Sequence, residues 1–198
     1  MGMRDRNTPN NTAGKDRTGR QAPLPVRTLV QVAVMAALLA ICAWLTVPAA
    51  VPFTMQTFGV FLALKLLGGK KGTLAILVYI LLGAAGLPVF SSFKGGISAL
   101  AGPTGGYIIG FLLTGLLYLA AARLEKNARR EDVVLFAGLL LCYLFGTLWF
   151  LHVMSGQGKA YTFFEGLSLC VLPYLIPDFV KLLLADLLSR RLKKLLRD

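Results

Sequence analysis

An all-α polytopic membrane protein with six transmembrane helices is what this sequence predicts, on three observations. Hydrophobic residues make up 56% of the 198 residues and charged residues only 15%, against about 25% charge in an ordinary soluble domain. The charges are segregated, leaving stretches long enough to cross a bilayer at roughly 20 apolar residues per helix. The basic residues also gather in alternate connections, as an orientation signal requires.

Taken in order, residues 1–27 are polar and rich in Asn, Thr, Arg and Pro, with too little apolar surface to fold. They read as a disordered cytoplasmic tail. A six-helix membrane domain follows over residues 28–190, with spans at Thr28–Val47, Phe53–Leu67, Thr73–Leu87, Thr104–Ala122, Val133–Val153 and Leu167–Leu188. The first exceeds a signal-peptide core, has five spans behind it, and is read as retained. Residues 191–198 close the chain as a basic cytoplasmic end.

The net charge of +12 follows this topology. Arg4, Arg6, Lys15, Arg17, Arg20 and Arg27 precede the first span. Lys70 and Lys71 separate the second from the third, and Arg123, Lys126, Arg129 and Arg130 the fourth from the fifth. Arg190, Arg191, Lys193, Lys194 and Arg197 follow the sixth. With only Lys94 and Lys159 opposite, the count is 17 against 2. Both termini are therefore expected in the cytoplasm. Charge that serves topology and lipid headgroups leaves no call for a nucleic-acid partner.

Several chemistries are missing from the sequence. Gly68-Gly69-Lys70-Lys71-Gly72-Thr73 lacks the spacing of a phosphate-binding loop, so no ATPase motor is expected. His152 is the one histidine, and neither a Ser-His-Asp set nor a His-x-x-x-His site can be assembled around it. The protein reads as no enzyme, without metal or cofactor. Cys42, Cys142 and Cys170 fall inside spans, odd in number and without metal spacing, as small packing residues.

The outer connections carry the next signal. Between the third and fourth spans, Leu87, Val89, Phe90, Phe93, Ile97 and Leu100 punctuate a glycine-rich loop. Such a segment folds back over a bundle, where irregular backbone is tolerated if it lines a cavity, or lies as an amphipathic loop in the headgroup region. The fourth span opens at Thr104 after Pro103, and its amino end favours an anionic group. Gly102, Gly106 and Gly110 make a small-residue stripe along it. Ala33, Ala36, Ala37 and Ala40 make another on the first span, which serves packing within the bundle or contact with a second membrane subunit.

The sixth span holds the strongest physical clue. Asp178 and Lys181 lie three residues apart on one helical face, where each membrane-embedded charge costs about 2.5–3.5 kcal/mol on insertion scales. They close on each other beside Pro173 and Pro177, which kink this stretch or make its regular helix start late, or they bind a ligand, and the two are compatible. Asp178 accepts N–H bonds and Lys181 neutralises a carboxylate. Phe53, Tyr79, Phe90, Trp149 and Tyr174 offer aromatic surface, and Gln56 both donates and accepts. The ligand class that fits is a small, partly apolar molecule with N–H groups and an acid tail.

The run Val51-Pro-Phe-Thr-Met-Gln-Thr57 resembles the P-x-P-F-T-x-Q-T signature of the BioY family, with Ala49 and Ala50 altering the context of the leading proline. Leu67-Gly-Gly-Lys-Lys-Gly72, Gly86-Leu-Pro-Val-Phe90, Gly102-Pro-Thr-Gly-Gly-Tyr107 and Pro177-Asp-x-x-Lys181 are similar to further family motifs, in the same order over residues 28–190. The resemblance implies a biotin-binding S component of an energy-coupling factor (ECF) transporter in a prokaryotic cytoplasmic membrane. Its partners would be a membrane coupling subunit (the T component) and two ABC-type ATPase subunits. It further implies that Asp178 accepts from the ureido group and Lys181 meets the valerate carboxylate. Lys94, before Gly95 and Gly96, stands where the family makes a polar loop contact, while Ile108 after Tyr107 offers no basic group. Gln56, Phe90, Tyr107 and Tyr174 complete the expected site, and the alanine stripe acquires a partner in the coupling subunit. The alternatives are an S component for another small vitamin, or a structural membrane subunit with no ligand.

Overall fold

Pro25, at φ −58° and ψ 139°, hands an extended chain to the first helix, α1 (Val26–Trp44). The computed structural model describes residues 25–47, 52–121, 128–159 and 161–195. Residues 1–24 of the expected tail, Ala49 and Ala50, Arg123 and Lys126, and residues 196–198 lie outside the described residues.

After α1 a short antiparallel pair, β1 (Thr46–Val47) and β2 (Phe53–Thr54), joins Thr46 to Thr54 and Val47 to Phe53. This ladder takes up Phe53 and Thr54, so the second expected span begins only at Gln56. The next helix, α2 (Gln56–Ala84), breaks at Gly68, whose φ of 78° and ψ of 171° suit only glycine comfortably. Its arms, 56–67 and 69–84, are antiparallel. A straight helix would hold residues 56 and 79 about 35 Å apart, yet Gln56 Nε2 donates to Tyr79 Oη at 2.6 Å. A Cβ on Gly72 would stand 2.9 Å from the Ala63 carbonyl oxygen, so glycine lets the arms touch just past the turn.

The outer loop then packs on the returning arm. Phe90 is buried, its ring filling the notch at Gly83, where an added Cβ would meet it at 2.0 Å. Gly96 N donates to the Gly83 carbonyl at 2.7 Å. From the other side, Trp44 Nε1 donates to the Pro88 carbonyl at 2.9 Å, and its ring stacks on Phe93 at 5.2 Å. A 3-10 turn, Ser91–Phe93, and α3 (Ile97–Ala101) complete the loop.

Helix α4 (Gly105–Ala121) packs closely on α5 (Ala128–Gly156). A Cβ on Gly106 would stand 2.3 Å from Trp149 Cβ, and one on Gly110 2.6 Å from Cys142 Sγ. Two members of the predicted glycine stripe thus face α5, while Gly102 serves through its carbonyl, which accepts Trp149 Nε1 at 3.0 Å. Helix α6 (Phe163–Cys170) starts on a capping box in which Thr162 Oγ1 accepts from Glu165 N and Glu165 Oε2 accepts from Thr162 N. Helix α7 (Leu172–Leu195) follows after a 42° bend. The sixth expected span is therefore two helices, broken at Val171 rather than at a proline. Pro173 sits in the first turn of α7, where a missing amide costs nothing, and Pro177 is carried inside the helix.

Among the described residues, three helices are long and apolar enough to cross a membrane, or four with α6 and α7 counted as one bent span. Gln56 meets the end of the returning arm of α2 and Trp44 meets Pro88, so α1, both arms of α2 and the outer loop share one end. The apolar core runs between them, with Leu39, Ala43, Phe61, Leu64, Ile76 and Leu135 almost fully buried.

Candidate functional site

At the loop end, β2, both termini of helix arms and the start of α7 converge on a cavity with about 590 Å³ of non-atom space, part of it open to solvent. Pro52 to Thr57 form one wall and Ser91 of the outer loop part of the rim. Thr104, Tyr107, Ile108 and Phe111 come from the head of α4, Cys142 and Tyr143 from α5, and Cys170, Tyr174, Asp178 and Lys181 from α6 and α7.

The polar chemistry concentrates at one place. Asp178 and Lys181 are each 4% exposed, and Lys181 Nζ lies 2.6 Å from Asp178 Oδ1. Lys181 also donates to the Thr54 carbonyl at 2.6 Å and to Thr57 Oγ1 at 3.3 Å. Thr57 Oγ1 donates to Asp178 Oδ1 at 2.9 Å, and Tyr143 Oη donates to Asp178 Oδ2 at 2.5 Å. The Lys181 ammonium sits 3.9 Å above the centre of the Phe53 ring, a favourable cation–π placement. Phe53 stacks in turn on Tyr174 with centroids 6.0 Å apart. A carboxylate offers about four lone-pair positions. Lys181, Thr57 and Tyr143 occupy three, which leaves one on Oδ2 for an incoming N–H.

A relay connects this wall to the loop. Gln56, buried and lining the cavity, donates to Tyr79 Oη, which donates to the Val89 carbonyl at 3.1 Å. Tyr107, also in the wall, shares a 3.1 Å hydrogen bond with Thr147 Oγ1.

Of the residues singled out from sequence, Asp178, Lys181, Gln56, Tyr107 and Tyr174 line the cavity. Phe90, Lys94, Gly95 and Gly96 do not. Phe90 is spent on the Gly83 notch, and the Lys94 carbonyl accepts Phe90 N at 2.9 Å while its side chain is exposed. Gly95 passes so close to Leu87 that a Cβ would stand 2.3 Å from the Leu87 oxygen, and Gly96 adopts φ 87°. These residues shape the loop instead of touching the cavity. The alanine stripe divides: Ala36 and Ala40 are buried in the bundle, whereas Ala33 and Ala37 are exposed. Residues 36 and 40 share one face and 33 and 37 the next. Thr57 and Tyr143 were not legible as site residues. The one signal was that a tyrosine hydroxyl deep in an apolar span needs a partner.

The comparisons with known proteins agree with one another. "Biotin transporter BioY" of Thermotoga maritima is 39% identical over 171 residues, covering 86% of this chain and 98% of that protein. "Probable biotin transporter BioY" of Pyrococcus horikoshii is 43% identical over 143 residues, covering 72% of this chain and 81% of its own. The crystal structure of the S-component for biotin from an ECF-type ABC transporter superposes with a TM-score of 0.74 at 28% identity, covering 85% of this chain and 92% of that one. Residues 13–198 match the BioY family, and the chain belongs to it.

Proposed function

We propose that this chain is a biotin-specific S component, which captures biotin at the outer face of the cytoplasmic membrane for ATP-driven uptake by an ECF transporter. The observation that carries the reading is the buried Asp178–Lys181 pair at the wall of an aromatic-lined cavity, in a chain related to biotin transporters over most of its length. One ureido N–H of biotin fits the remaining acceptor position on Asp178, and its carboxylate meets Lys181 once that ammonium has turned away from Asp178. Phe53 and Tyr174 supply apolar surface for the rings, with Gln56 and Tyr107 on the facing walls. Phe90, Gly95 and Gly96 act indirectly, by holding the loop over the site.

The chain crosses the membrane six times in this reading, the two arms of α2 counting separately, with both termini inside. The alternation of helix directions supports it, because Lys70, Lys71, Arg190, Arg191, Lys193 and Lys194 all fall at the end opposite the cavity. It works without chemistry of its own; a coupling membrane subunit and two ATPase subunits supply the energy. The exposed pair Ala33 and Ala37 on α1 offers the coupling subunit a close helix contact.

The test is equilibrium binding of labelled biotin to the purified chain in detergent, after avidin has stripped any carried-over ligand. Saturable one-to-one binding is expected, with other vitamins failing to compete. A folded chain that binds no biotin would overturn the assignment.

A further inference from the structure

The three helices that build the polar wall of the cavity meet a second time at the inner end of the bundle. At the cavity, Asp178 of α7 takes hydrogen bonds from Thr57 of α2 and Tyr143 of α5. At the inner level, Lys65 of α2 binds Asp132 of α5 and Asp186 of α7 together. Thr57 to Lys65 and Asp178 to Asp186 are equal steps, eight residues or about 12 Å of helix each. On antiparallel α5, Tyr143 to Asp132 covers eleven residues, about 16 Å. Phe61, Leu64, Leu135, Leu139 and Leu182, all buried, fill the space between the two levels.

Lys65 is only 2% exposed, a placement tolerated where a charge is paired. Two carboxylates share its ammonium, and Arg190 Nε, 61% exposed, bonds Asp186 Oδ2 at 2.8 Å and closes the charge balance. The aliphatic layer cannot fix how far one helix slides along another, because apolar contact is not directional. The ionic cluster is directional, and it joins the same three helices as the site. A slip of one helical rise, about 1.5 Å, would misalign the bonds of 2.9 and 2.6 Å that join Thr57 to Asp178 and Lys181 to the Thr54 carbonyl.

We infer that Lys65, with Asp132 and Asp186, is a positioning residue for the substrate site, setting the axial register of α2 against α5 and α7. Biotin as the probe rests on the functional reading above, so the test includes a readout that needs no ligand. Cys142 and Cys170 line the cavity, and in a Cys42→Ala background their alkylation rate reports how tightly the site is closed.

Lys65→Met leaves two carboxylates facing each other and lowers thermal stability. Adding Asp132→Asn and Asp186→Asn removes that repulsion and restores the melting temperature, since neutralising a whole buried cluster is often harmless to stability. The restored triple variant is expected to bind biotin about tenfold more weakly, the equivalent of 1.4 kcal/mol. Its cavity cysteines should react roughly fivefold faster through local opening. Lys65→Arg, which keeps the charge and can reach both carboxylates, should retain tight binding and slow alkylation. A triple variant with wild-type affinity and wild-type alkylation would overturn the inference. If wild type itself bound no biotin, the functional reading would fall and the alkylation ratio would still decide this one. Should the triple variant not fold, Asp132→Asn alone, at a residue 34% exposed, carries the same comparison: faster alkylation supports the role, and an unchanged rate refutes it.

Discussion

Asp178→Asn tests the site with little change of shape. The amide oxygen can still accept from Lys181 and Thr57, now 2.6 and 2.9 Å from Oδ1. The amide nitrogen then stands where Oδ2 accepts Tyr143 at 2.5 Å, offering a donor to a ligand that brings donors. Lys181 keeps the Thr54 carbonyl at 2.6 Å, Thr57 at 3.3 Å and the Phe53 ring at 3.9 Å. The cost to folding therefore falls below the roughly 3–5 kcal/mol of a stranded buried charge. The lost bond between a ligand N–H and a carboxylate is worth about 1.5–3 kcal/mol, so biotin binding should weaken about 10- to 150-fold at 1.4 kcal/mol per tenfold. Equilibrium binding in detergent measures it, with a thermal melt as the folding control. A folded variant weakened less than about threefold, under 0.7 kcal/mol, would refute the acceptor role of Asp178.

Gly83→Ala would drive a Cβ to 2.0 Å from Phe90 Cζ, an overpacking that costs about 1–3 kcal/mol. A lower melting temperature and faster proteolysis within residues 86–104 are expected. Tyr79→Phe removes the hydroxyl that links Gln56 to the Val89 carbonyl; at about 1 kcal/mol per hydrogen bond, biotin should dissociate several-fold faster in a stopped-flow chase. Glu165 is held below the ordinary 4.5 by the Thr162 backbone N–H and then by its hydroxyl. Because folding lowers its proton affinity, the cap stabilises α6 above that value and is lost as pH falls through the lower folded-state value. Amide exchange at Glu165 and Gly166, corrected for its intrinsic pH dependence, should accelerate as pH falls below 4.5.

What the sequence made legible were features carried by short spacings. Asp178 and Lys181 three residues apart imply one face, and they are bonded. The apolar residues of the outer loop imply folding back, and Phe90 is buried while Trp44 clamps the segment from α1. What escaped were relations between distant elements. Nothing local to Lys65 points to Asp132 or Asp186, 67 and 121 residues away. Thr57 and Tyr143 meet Asp178 only because α2 and α5 flank α7. Lys94 shows the limit of a motif: its place in the loop suggests a ligand contact, whereas the turn that brings Phe90 N to the Lys94 carbonyl leaves its side chain exposed, away from the cavity lining. The sixth span breaks at Val171, just ahead of Pro173, so of the two expectations for the prolines a late start of the regular helix lies nearer the structure than a kink at either.

The arrangement of the site also bears on how a buried ion pair can take up an anion. A lone buried lysine would attract a carboxylate strongly but would be costly to hold without one. Here Asp178 neutralises Lys181 directly, so the protein carries no uncompensated charge at this wall. In the proposed reading an entering biotin brings a carboxylate for Lys181 and an N–H donor for Asp178, so each of the two groups exchanges the other for a partner on the ligand. No charge is left without a hydrogen bond at either end of the exchange, and the cost of moving an ion from water falls mainly on the ligand carboxylate. A ligand with the carboxylate but no N–H groups would separate the pair while satisfying only Lys181. A neutral cyclic urea would satisfy only Asp178 and could not draw Lys181 away from it. On that reading selectivity would arise from requiring both ends of one molecule, with the Asp178–Lys181 bond as the threshold that a partial match fails to cross.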